Sequence, residues 1–398
     1  MKPRDYQDKY SDVGLAILRR HGILYYAWEE RTGKTLTAIL VCEKSMANNI
    51  LVVTKKGKPM DGWNETLAKF DHLNNYDVIN YHSIHKVGDP EDYDLVILDE
   101  AHNYISSYPK PSSLWKKVRK YTWGKPIIYL SATPHAQGYQ QMYHQLQLSK
   151  WSPWRIYKNF YDWFKVYGFV YTIDINGLEA NQYDRTDIPK ITGCIAPFFL
   201  SMTRKELGFE HEPEDKVHWV TLSKDTKELY NEIVEHGIAE TEHGLIVADT
   251  TGGVRASLHQ IEGGSIKIDK EYYELDNTEK IGYIKETWGD TEDMVIMYNY
   301  KGELPKLKKH FKKATILQAT TNAEGVELAH KKHLIVYSQD WSTARHTQRR
   351  ARQASKDRDI PIDVHFILVK GAVSHDCYKQ VAVNKKNFVD SVYKRKKI

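Results

Sequence analysis

Three consecutive residues near the amino end of the chain have the types and order needed to bind a phosphate group. Gly33, Lys34 and Thr35 follow an apolar segment and open the stretch TLTAILVCEK, which predicts a helix. A helix amino terminus points backbone N–H groups at an anion, the lysine would reach the β- and γ-phosphates, and the threonine hydroxyl would hold Mg²⁺. The glycine expected five positions before Gly33 is Trp28, so this motif alone does not establish a nucleotide site.

A pair of carboxylates about 65 residues downstream supplies the second part of such a site. Asp99 and Glu100 end the apolar stretch YDLVILDE, which predicts a strand. A carboxylate at the end of a parallel strand beside a phosphate loop can hold Mg²⁺ through a bound water, which is the role expected of Asp99. Glu100 would polarise the attacking water as general base. Together the two motifs predict an ATP hydrolase with ATP and Mg²⁺ as cofactors.

The elements that position these residues follow from the hydrophobic pattern. Short, β-branched apolar runs alternate with longer helical patterns, which predicts βαβ units around largely parallel sheets. We expect an ATP-binding domain over residues 1–150, a linking and helical region over 151–280, and a second α/β domain over 281–398. The strand candidates are NILVVTK, DLVILDE and PIIYLSATP in the first half, and DMVIMYNY, ATILQATT, HLIVYSQD and VHFILVK in the second.

The composition excludes several classes of protein. No apolar run approaches the roughly 20 residues of a membrane span, and the amino terminus is too polar for a signal peptide. Cys42, Cys194 and Cys377 lie far apart, so we expect no disulfide framework or structural zinc site, and a cytoplasmic location. The net charge of +5 is mild, but lysines cluster in KKGK, KLKKHFKK and YKRKKI, either as solvated surfaces or as nucleic-acid contacts.

With SATP following DEAH in order, the chain resembles superfamily-two helicases and translocases, and within them the Swi/Snf-type branch with its small phage-encoded members. The resemblance runs nearly end to end. It implies an α/β fold of two RecA-like lobes with parallel sheets flanked by helices, plus helical insertions between them. In this branch an acidic-rich lead-in such as WEERTGKT replaces the first glycine of the phosphate loop, which accounts for Trp28.

The resemblance also assigns roles around the nucleotide. RDYQ resembles the segment whose glutamine, here Gln7, reads the adenine, and Arg31 stands where many members carry glycine. In LSATP, Ser131 and Thr133 would bond Asp99 or His102 and couple hydrolysis to movement. The residues expected to contact the nucleotide are Arg4, Gln7, Arg31, Thr32, Gly33, Lys34, Thr35, Gly325 and Gln348.

Two further segments resemble elements that contact the nucleic-acid backbone. The stretch ILVVTKKGKPM would do so through Thr54, Lys55 and Lys56, and ATTNAEGVEL through Thr320 and Thr321. In the second segment Glu324 and Gly325 stand where many members have two glycines. The aromatic-rich segment from Trp151 to Gly168 either packs between the lobes or faces DNA, and we favour packing.

The arginine fingers of this family fall in ARHTQRRARQASKDR, in one of two registers. If Gln348 is the leading glutamine of the motif, the arginine positions are Arg352 and Ser355. If the motif slides back by three residues, Arg349 and Arg352 form the pair, and Arg345 replaces the glutamine. We favour the second register, because the three-residue spacing would put both arginines on one helical face toward the cleft between the lobes.

The function expected from these features is an ATP-dependent DNA helicase or translocase, acting as a monomer on forked, branched or duplex DNA in replication, recombination or repair. Backbone contacts would give it little sequence specificity. Whether it separates strands or only translocates stays open. The alternatives are an RNA helicase, a nucleic-acid-binding module that is gated by ATP without turnover, and a simple phosphate-loop kinase. Its compactness suggests a phage origin, hence the host cytoplasm.

Overall fold

The backbone of this computed structural model is described for residues 2–135, 138–175, 178–319 and 328–384. The chain divides after Phe209 into two units, Met1–Phe209 and Glu210–Ile398. The linking region expected over residues 151–280 is therefore divided between the two units: residues 151–209 fold with the first unit and residues 210–280 with the second. We describe each unit by itself.

The described part of the first unit contains eight strands and eight α-helices. The strands are β1 (Ile23–Trp28), β2 (Asn49–Thr54), β3 (Asn75–Asn80), β4 (Leu95–Asp99), β5 (Ile127–Leu130), β6 (Tyr171–Ile175), β7 (Leu178–Gln182) and β8 (Phe199–Met202). The helices are α1 (Asp5–His21), α2 (Lys34–Glu43), α3 (Lys58–Lys69), α4 (His102–Ile105), α5 (Ser113–Thr122), α6 (Met142–Leu146), α7 (Phe160–Tyr167) and α8 (Ile188–Ile195).

Six of these strands form one parallel sheet in the order β3-β2-β4-β5-β1-β8. Helices pack on both faces, so the central strands are buried throughout, as in Val52 and Ile97. The strand β3 lies at an edge, and its first four residues alternate between exposed and half-buried. The carboxyl ends of β1, β4 and β5 lead into the phosphate loop, the Asp99–Glu100 pair and Ser131. These three strands are neighbours in the sheet, which brings the three motifs to one edge.

The described part of the second unit contains nine strands and six α-helices. The strands are β9 (Pro213–Val220), β10 (Ile238–Thr241), β11 (Gly244–Val247), β12 (Ser265–Ile268), β13 (Glu271–Glu274), β14 (Met294–Tyr298), β15 (Thr315–Gln318), β16 (His333–Val336) and β17 (Ile362–Val369). The helices are α9 (Lys224–His236), α10 (Thr251–Glu262), α11 (Glu279–Trp288), α12 (Glu303–His310), α13 (Thr343–Arg350) and α14 (Val373–Tyr378).

Five strands of this unit form a second parallel sheet in the order β15-β14-β16-β17-β9. Two antiparallel hairpins, β10–β11 and β12–β13, accompany it. The expected fold class, α/β with two parallel sheets flanked by helices, is confirmed. All seven predicted strand segments contain strands of these two sheets. Within the described residues, no helix is long and apolar enough to cross a membrane.

The aromatic segment after Trp151 packs into the core of the first unit. Trp154, Phe160 and Trp163 are all but inaccessible to solvent and belong to one hydrophobic cluster. The Asn159 side chain caps α7 by accepting a hydrogen bond from the backbone N–H of Asp162 at 3.0 Å. These rings pack within the core of the first unit, and the packing between lobes that was expected of the segment stays a prediction.

Candidate nucleotide site

The phosphate loop connects β1 to α2, and its backbone has two residues in the left-handed region. Arg31 has φ 64° and Gly33 has φ 79°. Such a φ is unfavourable for a residue with a Cβ, which explains why glycine suits the position of Arg31. The Lys34 ammonium donates to the carbonyl oxygens of Trp28 at 2.8 Å and Glu29 at 2.9 Å. Backbone carbonyls of the loop therefore bind the ammonium of Lys34, which is the first residue of α2.

The helix α1 holds the phosphate loop from one side. Gln7 Nε2 donates to the Gly33 carbonyl at 3.1 Å, and Gln7 Oε1 accepts from the Arg4 backbone N–H at 3.0 Å. The Tyr6 hydroxyl donates to the Thr32 carbonyl at 2.9 Å. Because Gln7 is buried and both atoms of its amide are bonded inside the protein, it fixes the loop. The adenine-reading role expected of it does not match this arrangement.

A residue that sequence reasoning did not assign to the site, Arg204, holds the loop from the other side. It follows β8, which pairs in parallel with β1 and so ends beside the loop. Its guanidinium lies 3.6 Å from carboxylate oxygens of both Glu29 and Glu30, and its backbone N–H donates to Glu29 at 2.7 Å. The available signal was a short apolar run, FFLSM, followed after Thr203 by the basic residues Arg204 and Lys205.

Asp99 ends β4 within hydrogen-bonding distance of two buried donors. Its Oδ2 accepts from the Thr54 hydroxyl at 2.8 Å and from the Trp63 indole N–H at 3.0 Å. Burial raises the pKa of Asp99, while the Trp63 and Thr54 hydrogen bonds and nearby Lys34 lower it. Thr54 and Trp63 therefore orient the carboxylate.

The nucleic-acid contact expected of Thr54 is wrong on physical grounds, because its side chain is fully buried against Asp99. The two lysines that follow it have a different environment: Lys55 is half-buried and Lys56 is exposed. Trp63 lies on α3, the helix that follows these lysines, so this helix contacts the Asp99 carboxylate directly.

Glu100 occupies an unusual backbone conformation for its residue type, with φ 50°. Its backbone N–H donates to the Leu130 carbonyl at 2.8 Å, which ties it to β5. Burial, followed by repulsion from Asp99, raises the pKa of Glu100 to about 8. A carboxyl with this pKa is protonated or ionised according to small changes near neutral pH, which suits a general base.

His102 connects the carboxylate pair to the segment after β5. Its Nδ1 lies 2.9 Å from the Ser131 hydroxyl and 3.3 Å from Glu100 Oε2, and its Nε2 lies 3.3 Å from the Thr133 hydroxyl. Burial lowers the pKa of His102 to about 4, so the ring is neutral at pH 7. The predicted contacts of Ser131 and Thr133 are therefore made with His102.

The residues present fit a phosphate ligand with its metal. Burial lowers the pKa of the Lys34 ammonium, and the Glu100, Glu30 and Asp99 carboxylates oppose that shift, so all four charges share one neighbourhood. The described residues contain no group of three or more side chains that could hold a metal alone. Mg²⁺ commonly takes one or two protein ligands and completes its shell with phosphate oxygens and water. Thr35, half-buried on the first turn of α2, and Asp99 are the candidates.

The arginines of the second unit are placed differently from expectation. Arg349 lies in α13, whereas Arg352 lies in the 3₁₀ helix Ala351–Gln353 that follows, so they do not share one α-helical face. Arg349 is buried, with its guanidinium 3.8 Å from Asp340, while Arg352 and Gln348 are half-buried. The remaining residues expected at the nucleotide or nucleic acid in this unit, Thr320, Thr321, Glu324 and Gly325, lie outside the described residues.

Comparison with solved structures finds an ATPase core and a helicase domain. The Sulfolobus solfataricus SWI2/SNF2 ATPase core in complex with dsDNA is 14% identical, with a TM-score of 0.42 over 99% of this chain and 92% of that one. The Pyrococcus furiosus Hef helicase domain is 13% identical, with a TM-score of 0.48 over 94% of this chain and 97% of that one. No protein-family model matches the chain, and no curated protein matches it. At this level of similarity, function has to be inferred from the chain's own residues.

Proposed function

We propose that the protein is a nucleic-acid-dependent ATPase that moves along DNA. The observation that carries the proposal is the convergence of three motifs at one edge of the first sheet. Lys34 follows β1, the Asp99–Glu100 pair follows β4, and Ser131 follows β5, and these strands are adjacent. A lysine and two carboxylates around a helix amino terminus suit phosphoryl transfer to water.

Each residue of this edge has a distinct part in the proposed hydrolysis. Lys34 exchanges its bonds to the Trp28 and Glu29 carbonyls for phosphate oxygens, and the α2 amino terminus adds backbone N–H donors. Thr35 and Asp99 would hold Mg²⁺, which would supply charge neutralisation on the phosphates. Glu100 takes a proton from the attacking water, and its raised pKa makes it a stronger base than an ordinary carboxylate. Arg349 and Arg352 remain the proposed γ-phosphate ligands.

Coupling to nucleic acid is proposed to run through two connections to this edge. The Trp63 indole joins α3 to Asp99, so a bound nucleic-acid strand that shifts α3 also shifts Asp99, the proposed metal ligand. The His102 ring joins Glu100 to Ser131 and Thr133. The exposed Lys56 and half-buried Lys55 supply backbone contacts just before α3.

Steady-state ATP hydrolysis tests the proposal, with no nucleic acid, single-stranded DNA, duplex DNA, forked DNA and RNA. We expect DNA to stimulate the wild type, and Lys34→Ala and Glu100→Gln each to reduce the stimulated rate by about 10²-fold or more. The exposed residues Lys86 and Glu91 provide matched controls, since Lys86→Ala and Glu91→Gln make the same changes away from the site.

Each alternative has its own result in the same experiment. Equal stimulation by RNA and DNA favours an RNA substrate. A wild type that binds ATP and DNA but never turns over contradicts the motor and indicates an ATP-gated clamp. Appearance of a phosphorylated small acceptor instead of free phosphate indicates a kinase.

A further inference from the structure

A long stretch of the first unit carries positive charge without any negative charge. Between Ala101 and Tyr161 the sequence contains nine Lys or Arg residues and no Asp or Glu. The chain as a whole is nearly balanced, with 57 Lys and Arg against 52 Asp and Glu. A local field of one sign attracts a polyanion, most strongly where the surface is concave.

This stretch folds around a groove of about 690 Å³, formed by α5, α6 and the segment before α7. None of the described residues that line it is acidic. The basic lining residues are Lys110, Arg119, Arg155 and Lys158, and the aromatic ones include Trp115, Trp123, Tyr143, Tyr157 and Tyr161. The first carboxylate of the following sequence, Asp162, accepts from Asn159 Nδ2 at 2.9 Å and lies 3.9 Å from the Lys165 ammonium. It is thereby partly neutralised.

Arg119 gives the groove a preformed centre. Residues 115, 119 and 123 are spaced by four and lie on one side of α5, continued beyond its end. The Arg119 guanidinium lies 5.1 Å from the Trp115 ring centroid and 4.0 Å from that of Trp123, and its Nη1 donates to the Gln147 carbonyl at 2.7 Å. A stacked and anchored guanidinium is suited to recognising phosphate or a base edge.

The aromatic rings on the groove are of two kinds. Trp115, Tyr143 and Phe160 are buried and form its floor. Trp123 is 46% exposed and Tyr161 is 39% exposed, so both rings are open to a ligand. Exposed rings beside fixed cations are the combination that binds single-stranded nucleic acid, since bases stack on the rings and phosphates pair with the cations.

We propose that this groove, defined by Lys110, Arg119, Trp123, Arg155 and Lys158, binds a single-stranded segment of nucleic acid. The inference rests on the proposed function and adds to it a second strand-binding surface. It involves none of the residues at the edge with Lys34 and Glu100. An acidic polypeptide would match the charge, but it offers no bases for the exposed Trp123 and Tyr161 rings. Duplex DNA would match the charge, but its bases are already stacked on each other.

Binding of labelled single-stranded and duplex DNA to the full-length protein, followed by anisotropy at several salt concentrations, tests the proposal. One variant carries Lys110→Ala, Arg155→Ala and Lys158→Ala, all at exposed positions. We expect its affinity for single strands to fall roughly tenfold or more, and its logarithmic salt slope to fall by about 2, since each phosphate contact contributes about 0.7. The matched control changes the exposed Lys9, Arg20 and Lys69 to alanine.

A second pair of variants isolates base stacking. Trp123→Leu should weaken single-strand binding by roughly 5- to 150-fold, while Trp123→Phe should retain most of it. Duplex binding should change little in either. ATP hydrolysis without DNA serves as the folding control, because none of these residues belongs to the nucleotide site.

The outcomes separate the groove from the motor. If the groove variants bind single strands like the wild type, the groove proposal is wrong, and DNA-stimulated hydrolysis by the wild type would still support the motor. Equal losses for single-stranded and duplex DNA would contradict base stacking in the groove. Competition by polyglutamate as strong as by single strands would identify an acidic polypeptide instead. If DNA does not stimulate ATP hydrolysis by the wild type, the motor proposal is wrong, and the binding data alone then decide whether the groove binds single strands.

Discussion

In the first unit the Asp99 carboxylate accepts hydrogen bonds from Thr54 and Trp63, whereas in the second unit the buried Arg349 guanidinium makes none within the part of the chain that the structure describes. Within the described residues, no nitrogen of Arg349 has a hydrogen-bond acceptor, and its nearest carboxylate, Asp340, lies at 3.8 Å and already accepts from Arg345 at 2.7 Å. A buried charge without acceptors costs free energy. The comparison suggests that Asp99 obtains its hydrogen bonds within its own unit, whereas the donors of Arg349 are available to a ligand.

Two glutamates, the half-buried Glu100 of the first unit and the buried Glu303 of the second, show a parallel difference. Glu303 Oε2 accepts from the Ser338 hydroxyl at 2.6 Å and from the backbone N–H groups of Asn299 and Tyr300 at 3.2 and 2.9 Å. It holds the start of α12. Glu100 Oε2 accepts a longer bond from the Ser131 hydroxyl, at 3.3 Å, and lies 3.3 Å from His102 Nδ1, while the backbone of Glu100 has a strained, positive φ. Strain and weak bonding concentrate at functional residues, which sets Glu100 apart from the structural Glu303.

The largest expected effect concerns Arg349. Arg349→Met removes a buried charge that lacks acceptors, so the free energy of unfolding should stay level or rise by about 1–3 kcal/mol. If the guanidinium acts on the γ-phosphate, DNA-stimulated turnover should fall by about 10³-fold or more. Thermal unfolding and steady-state turnover measure the two effects.

Arg350→Met is the matched control for this change. Its guanidinium binds Asp215 and donates to the Pro213 carbonyl at 2.7 Å, so its removal should lower stability by about 1–3 kcal/mol with little effect on turnover. An Arg349→Met variant that is destabilised as much as Arg350→Met, with turnover intact, would show that Arg349 is structural. Arg352 belongs to both registers of the motif, so the turnover of Arg349→Met, and not that of Arg352→Met, decides between them.

The next effect concerns the hydrogen bond that Asp99 accepts from Thr54. Thr54→Val keeps the shape of a buried side chain and removes one donor from Asp99, which should lower the free energy of unfolding by about 1–2 kcal/mol. Thr66→Val provides the control, because its hydroxyl bonds only the Gly62 carbonyl within its own helix, at 2.7 Å. Urea unfolding of both variants should show the difference. Equal stabilities would mean that Trp63 alone satisfies Asp99.

Much of the fold and part of the site were predictable from local pattern. Apolar runs identified seven strands because parallel strands covered on both faces are continuous hydrophobic stretches. The contacts of His102 with Ser131 and Thr133 were predictable because each motif follows a strand, and adjacent parallel strands bring their carboxyl ends together. Short-range spacing was therefore enough wherever the chemistry sits at a strand end.

The remainder depended on contacts between distant parts of the chain. Arg204 reaches Glu29 across 175 positions through the pairing of β8 with β1, and nothing near Arg204 in sequence specifies that pairing. Trp63 reaches Asp99 from α3 in the same way. The shared helical face of Arg349 and Arg352 was wrong because α13 ends at Arg350, and a 3₁₀ helix turns the next residues by a different angle.

A smaller effect follows from the pKa of Glu100. Its folded pKa of about 8 lies above the ordinary value of 4.5, so its contribution to stability is full below pH 4.5 and is lost as pH rises through about 8. Glu100→Gln does not titrate. Because the Glu100 side chain is 26% exposed, water screens much of this effect, so the variant's stability should be close to the wild type at pH 5 and exceed it by roughly 1–2 kcal/mol at pH 8.5. Denaturant unfolding at the two pH values measures this, with the exposed Glu91→Gln as control. A constant difference across pH would exclude ionisation of Glu100 as its source.

The smallest effect compares backbone strain at the site with strain in an ordinary turn. Arg31 in the phosphate loop and Asp269 in the β12–β13 turn both have positive φ, 64° and 53°. Glycine relieves a left-handed conformation, so Arg31→Gly and Asp269→Gly should each raise the free energy of unfolding by about 0.5–1 kcal/mol. Asp89→Gly, at φ −63°, should lower it by about as much. If the free energy of unfolding rises for Asp269→Gly but not for Arg31→Gly, the Arg31 side chain stabilises the loop by as much as its backbone strains it. The arginine side chain would then maintain a conformation that glycine adopts without strain.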